Sequence, residues 1–199
     1  MSDPQVDRSK RTWLIASTCA GVAGGVATAV PFVASFQPSE RARAAGAAVE
    51  VDISALKPGE KLTVEWRGKP VWVVRRTPEQ LESLKRTEAL VADPKSERKP
   101  EEFTPMVTTR NGWRSIKPEI LVVVGICSHL GCSPSDKFTP GPQPSMPDDW
   151  HGGFLCPCHG SLFDMAGRVY KNKPAPDNLE VPPYTFLSDS RLLIGEAQA

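Results

Sequence analysis

Cys127-Ser128-His129-Leu130-Gly131-Cys132 and Cys156-Pro157-Cys158-His159-Gly160-Ser161 are the two stretches whose reading decides the fold. Each pairs a cysteine with a histidine, as C-x-H in the first and C-x-x-H in the second. Each also carries one further cysteine. Of five cysteines and three histidines in the chain, four cysteines and two histidines fall in the stretches 127–132 and 156–161, which marks a site. The remaining cysteine, Cys19, lies far away in an apolar stretch and reads as a small buried hydrophobe. The remaining histidine, His151, precedes the second stretch and reads as a surface residue. Apolar runs feed both stretches. Residues 120–126 (ILVVVGI) read as a buried strand leading into Cys127, and Phe154-Leu155 does the same for Cys156. Between them, residues 133–150 hold five prolines and read as a rigid, structured insertion.

Three chemistries compete for these residues. Two structural disulfides would consume four cysteines and leave both histidines unexplained. A structural zinc site accepts two Cys and two His, but zinc spacings commonly open with C-x₂₋₄-C rather than C-x-H, and two cysteines would stay idle. A 2Fe-2S centre in which two histidines replace two cysteines on one iron uses all six residues, as two thiolates, two imidazoles and one disulfide. This is the strongest of the three. Neutral imidazoles lower the total negative charge, so such a centre accepts an electron more readily than a four-cysteine one. The ranges are about −150 to +300 mV against about −400 mV.

Working outward, residues 1–12 are polar and carry Arg8, Lys10 and Arg11, and residues 13–36 then run without a charge. As a helix, 13–36 would extend about 36 Å, enough to cross a hydrocarbon core of about 30 Å. Its many Gly and Ala suit close packing against other membrane helices, and Pro31 is a candidate kink. A cleaved signal peptide is the competing reading, but its apolar core would be shorter. Lys10-Arg11-Thr12-Trp13-Leu14 is similar to a twin-arginine export signal with Lys for the first Arg. Positive charge ahead of the span favours an N-terminus inside, although Arg41 and Arg43 blunt the bias. Residues 37–48 form a flexible hinge. From Val49 onward the pattern is β. Residues 61–66 and 70–75 flank Arg67-Gly68-Lys69 as a hairpin, and Thr77-Pro78-Glu79-Gln80 opens a short helix over 78–86. Residues 92–105 read as a surface loop, Asp164–Gly167 as a turn, and 179–181 and 192–194 as strands. The net charge of +1 supplies no field for nucleic acid.

The two loops resemble those of the Rieske proteins, in particular the iron–sulfur subunits of ubiquinol–cytochrome c reductase (cytochrome bc) complexes of bacterial type. The resemblance covers nearly the whole chain and extends through Gly160–Tyr184, with Lys173-Pro174-Ala175-Pro176 as a third loop. It implies a mainly β fold: a Rieske-type antiparallel β domain over 49–199, with a small cluster-binding subdomain at about 127–176, preceded by one transmembrane helix. It implies one 2Fe-2S cluster per chain. Cys127 and Cys156 would bind the buried iron and His129 and His159 the outer one, while Cys132 and Cys158 form a disulfide tying the loops. Pro174, Ala175 and Pro176 would shield the cluster. His159, with His129 beside it, would contact the quinol and accept its proton, because an imidazole on ferric iron gives up its second N–H more readily than one on ferrous iron. The implied partners are a cytochrome b subunit, a cytochrome c-type haem subunit, ubiquinol and the membrane, within a dimeric complex. The implied location is the cell inner membrane, single-pass, with residues 1–12 cytoplasmic and the Rieske domain periplasmic, where a disulfide persists.

Two positions bear on the potential. Ser161 matches a family serine that donates to a bridging sulfide. Phe163 stands where many relatives carry a tyrosine whose hydroxyl reaches a cysteine sulfur, so this centre is expected below its tyrosine-bearing relatives. A Rieske subunit of another periplasmic oxidoreductase, such as arsenite oxidase, is the alternative that keeps the cluster, and the retained anchor argues against it. A membrane-tethered zinc-binding module is the alternative of another class.

Overall fold

The computed structural model describes residues 7–37, 39, 46–97 and 110–196. Contacts divide the chain into two units, Met1–Ala44 and Ala45–Ala199. Most of the expected hinge (38 and 40–45) and much of the expected 92–105 surface loop (98–105) lie outside the described residues.

Among the described residues the first unit holds one helix, α1 (Arg8–Ser35). It begins before the charge-free stretch because the Asp7 carboxylate caps it, accepting the N–H groups of Ser9 (3.0 Å) and Lys10 (3.2 Å). Arg8, Lys10 and Arg11 therefore form its first turns. The helix is long and apolar enough to cross a membrane, with a mean hydropathy of 1.6. Its hydroxyls from Thr12 to Ser35 are satisfied internally, for example Thr18 Oγ1 on the Leu14 carbonyl and Thr28 Oγ1 on that of Gly24, both at 2.8 Å. That removes the cost of bare hydroxyls in lipid. Pro31 sits inside α1, which continues to Ser35.

Among its described residues, the second unit holds three small antiparallel sheets and one short helix. Its strands are β1 (Val49–Asp52), β2 (Lys61–Trp66), β3 (Lys69–Arg75), β4 (Ile120–Val124), β5 (Ser135–Lys137), β6 (Gly153–Leu155), β7 (Leu162–Phe163), β8 (Tyr184–Ser188) and β9 (Arg191–Ile194). The sheets run β1-β9-β8, β2-β3-β4 and β5-β6-β7. The β2–β3 turn is Arg67-Gly68, both at positive φ (53° and 70°), as a two-residue hairpin of this twist requires. Helix α2 (Pro78–Thr87) starts where the sequence places it, with reciprocal Thr77 and Gln80 caps and Pro78 in the first turn.

The β2-β3-β4 sheet is the middle layer. Val71 and Val73 of β3, with Ile120, Val122 and Val124 of β4, pack toward Tyr184, Leu192 and Ile194 of the β1-β9-β8 sheet. The alternate residues Trp72, Val74, Leu121 and Val123 pack instead with Phe154, Phe163, Cys127 and Cys156. Side chains alternate faces along a strand, so a strand buried on both faces must be apolar throughout. That is why β4 reads ILVVV and is buried at every position.

Two strand expectations need correction. Residues 120–126 end as a strand at Val124, because Gly125 passes under the Trp72 indole, where a Cβ would lie 2.2 Å from a ring carbon. Residues 179–181 form no strand. Their backbone is shared between two elements, with the Leu179 N–H on the Gly167 carbonyl and the Glu180 carbonyl receiving the Val124 N–H, both at 2.8 Å.

Tyr184 joins the β1-β9-β8 sheet to the chain before β4: its hydroxyl accepts the Ile116 N–H at 2.8 Å. Burial pushes the phenol up to about 12, against its ordinary 10. The unfolded chain loses this proton near pH 10 and the folded one near 12, so the folded state binds more protons in that window. Stability therefore falls as pH rises from about 10 to 12, by at most roughly 3 kcal/mol. Tyr184→Phe is expected to flatten that loss in thermal unfolding followed across pH 9–12, while costing about 1 kcal/mol at neutral pH for the orphaned Ile116 amide.

Candidate metal centre

The two cysteine–histidine stretches fold alike. Cys127 leaves β4, its N–H donates to the Cys132 carbonyl (2.8 Å), and its carbonyl receives the Gly131 N–H (3.1 Å). Cys156 leaves β6, its N–H donates to the Ser161 carbonyl (2.8 Å), and its carbonyl receives the Gly160 N–H (3.0 Å). Gly131 and Gly160 both adopt positive φ, 80° and 72°, which explains glycine at each. Two equivalent loops thus face one another, each offering a cysteine from the same place. Sequence inspection misses this equivalence because the histidine offsets differ, i+2 in one loop and i+3 in the other.

The loops bring the expected residues together. Cys127 and Cys156 are buried, His129 is half-buried and His159 exposed. The two imidazoles meet edge to face, with centroids 4.7 Å apart. Cys132 and Cys158 are joined by a disulfide across the loops, with Cα atoms 6.6 Å apart. The sulfurs of Cys132, Cys156 and Cys158 all lie within 4.8 Å of one another. Two of these are spent in the disulfide, so this trio holds no metal. His151 takes no part in the imidazole pair, and Cys19 is exposed on α1 rather than buried.

The donors are graded from inside to outside, thiols below and imidazoles above. Burial raises the Cys127 thiol above its ordinary range. The neighbouring Cys156 raises it further, while the His129 amide and the Ser161 hydroxyl draw it down. Two thiols packed in a dry site ionise together only with a cation between them. The site therefore suits a metal group that reaches from buried sulfur to surface imidazole, and Cys127, Cys156, His129 and His159 are the donors able to hold it.

A third loop closes over the first two. Ser128 Oγ donates to the Asp177 carbonyl (2.7 Å) and accepts the Asp177 N–H (3.2 Å). The Ala175 N–H donates to Ser161 Oγ at 3.0 Å. Ala175 is buried while Pro174 and Pro176 are exposed. Phe163 is fully buried on β7, opposite Phe154 in the ladder and in the same core as Cys127 and Cys156. No sequence signal assigned Ser128 to the Asp177 backbone, because that bond joins residues far apart in the chain.

Sulfur donors inside and nitrogen donors outside, on a small antiparallel β domain, define an iron–sulfur protein. The comparisons with known proteins name its kind. The Rieske [2Fe-2S] domain matches residues 47–184. The ubiquinol-cytochrome c reductase iron-sulfur subunit of Allochromatium vinosum is 52% identical over 98% of this chain and 93% of its own length. That of Rhodospirillum rubrum is 42% identical over 98% and 96%. A solved hyperthermophilic respiratory Complex III chain aligns over 89% of this chain and 97% of its own, at 26% identity and a TM-score of 0.44. The chain belongs to the Rieske [2Fe-2S] domain family, and its cofactor is a 2Fe-2S cluster.

The buried Phe163 ring presents no hydroxyl toward the sulfurs. Phe163→Tyr is expected to raise the cluster midpoint by adding a donor that stabilises the more negative reduced form. Redox titration checks it, and an unchanged or lowered midpoint would count against a tuning role for this position.

Proposed function

We propose that this chain is the electron-transfer subunit of a membrane quinol–cytochrome c reductase, accepting an electron from ubiquinol and delivering it to a cytochrome c-type haem. The observation that carries the reading is the character of the loop tips. His159 is exposed, His129 half-exposed, and Leu130 beside them is 70% exposed. Residues 127–134 and 156–163 contain no Asp, Glu, Lys or Arg. An uncharged tip with two ring nitrogens and an apolar neighbour can enter a dry hydroquinone pocket without stranding a charge. Relatives named ubiquinol-cytochrome c reductase iron-sulfur subunit support the same substrate.

In this reading Cys127 and Cys156 hold the inner iron, and His129 and His159 hold the outer one through one ring nitrogen each. The cluster supplies a one-electron acceptor more oxidising than a four-cysteine centre. The second nitrogen of His159 accepts the hydrogen bond and then the proton of the quinol hydroxyl, with His129 at its edge. Burial of both thiols keeps water from the sulfurs, and the Cys132–Cys158 disulfide holds the loops at fixed separation. The partners are a cytochrome b subunit and a c-type haem subunit in a dimeric complex. Helix α1 anchors the chain in the inner membrane. Arg8, Lys10 and Arg11 lie on the cytoplasmic side, and the disulfide-bearing domain lies in the oxidising periplasm. The 37–48 hinge carries the head between its two redox partners.

Electron paramagnetic resonance of the complex purified from membranes tests the assignment. A reduced g-anisotropic Rieske signal in fractions that also hold a b-type cytochrome is expected; zinc in place of iron and acid-labile sulfide would sink it. The midpoint should fall with rising pH, and a potential that stays flat up to about pH 10 would rule out the coupled proton. Ala44→Pro with Ala45→Pro should slow turnover and leave the cluster spectrum unchanged. Normal turnover in that variant would exclude a moving head.

A further inference from the structure

Two arginines from outside the cluster loops reach under them. Arg76, just past β3, and Arg114 are 2% and 6% exposed. Arg76 Nη1 donates to the Met165 carbonyl at 3.0 Å. Arg114 Nη1 donates to the Ala166 carbonyl at 2.9 Å and the Gly167 carbonyl at 3.3 Å. Three consecutive carbonyls of the turn that leaves the second loop thus end on two guanidiniums. The amide side of that turn is held by Asp164, whose Oδ1 accepts the N–H groups of Ala166 and Arg168, both at 2.9 Å. Burial draws Arg76 and Arg114 down to about 10 and Asp164 draws them back up, so both stay charged at neutral pH. A buried charge is retained cheaply only where its hydrogen bonds are largely filled; each of these guanidiniums makes four, Arg114 from all three nitrogens and Arg76 from its two Nη atoms, with Nε bare.

Arg114 spans farther than Arg76. Its Nη2 donates to the Leu179 carbonyl at 2.6 Å, where the third loop re-enters the core. One guanidinium therefore ties the exit of the second loop to the exit of the third. The Leu179 N–H on the Gly167 carbonyl completes that junction. Above it, the third loop's Ala175 N–H occupies the Ser161 hydroxyl oxygen at 3.0 Å. An oxygen that accepts there leaves its own hydrogen free to turn toward a sulfur, and the Ser161 hydroxyl draws the buried Cys127 thiol down.

We propose that Arg114 is a positioning residue for the Ser161 hydroxyl: its fork locks the third loop against the second, and so aims that hydroxyl at the sulfur of the metal centre. The inference rests on reading the two loops as a Rieske centre. It follows that the fork matters more than the charge. Lysine carries the same charge but cannot reach Ala166 and Leu179 together.

The test is made on the full chain in its membrane complex, with the midpoint read by redox titration and the third loop by hydrogen exchange of peptides covering 173–179. Arg114→Lys is expected to lower the midpoint and speed exchange there. In a Ser161→Ala background it should lower the midpoint no further, because the group it positions is gone. Gly167→Ala provides a second route if Arg114 variants do not fold. At φ +69° its Cβ would stand 3.2 Å from both Arg114 Nη1 and Leu179 Cβ, displacing the fork with the charge intact, and it should shift both readouts the same way. A wild-type midpoint in Arg114→Lys, or an undiminished drop in the Ser161→Ala background, would overturn the proposal. A wild-type chain without the Rieske signal would overturn the underlying reading instead, before any variant is compared.

Discussion

Cys127 and Cys156 have to arrive side by side in a place that neither shares with water. That demand organises the domain. Each cysteine leaves a strand of a different sheet, and each loop bends back through the same pair of backbone hydrogen bonds and a positive-φ glycine. Strands are rigid and loops are not, so what remains is to fix one loop against the other. The Cys132–Cys158 disulfide does so across a sequence separation of 26. By chain entropy, a closure of that length is worth roughly 3–4 kcal/mol.

The middle sheet follows from the same demand. β3 and β4 carry one hydrophobic core toward the β1-β9-β8 sheet and another toward the cluster loops. A two-sided strand has no polar face to give it register, so specificity comes from shape. Trp72 stacks on Phe154 with centroids 5.1 Å apart, and only glycine fits beneath it at position 125. That close approach ends β4 and turns the chain into Cys127, so core packing sets where the first buried cysteine appears.

Beneath the loops the interior is polar. Three arginines, Arg76, Arg114 and Arg168, share a small volume with the Asp164 carboxylate, and main-chain carbonyls accept most of their donors. Apolar side chains would fill the space but leave those carbonyls without partners, a loss of about 1–3 kcal/mol for each buried group left bare. Loops that hold a metal cannot also form a sheet, so their backbone groups must find partners elsewhere. The guanidiniums supply the donors and Asp164 the acceptors.

Much of this was legible in the sequence, for reasons that are local. Six residues, four cysteines and two histidines, in two short stretches carry the chemistry of a two-Cys, two-His centre wherever they fold. A charge-free run has the length of a membrane span, and Thr77-Pro78-Glu79-Gln80 caps its helix with neighbours alone. What the tertiary structure decided is long-range. It made the two loops equivalent despite their unequal histidine spacing, and it drew the 179–181 backbone to Gly167 and Val124 instead of into a strand. It also placed Ala175 on Ser161 and set Arg114 across Gly167 and Leu179. An isolated buried arginine has no periodicity and no spacing rule, since its partners are carbonyls that every residue possesses. The opening motif thus supplied the sulfur and nitrogen donors, and only the folded chain brought the two loops that carry them together.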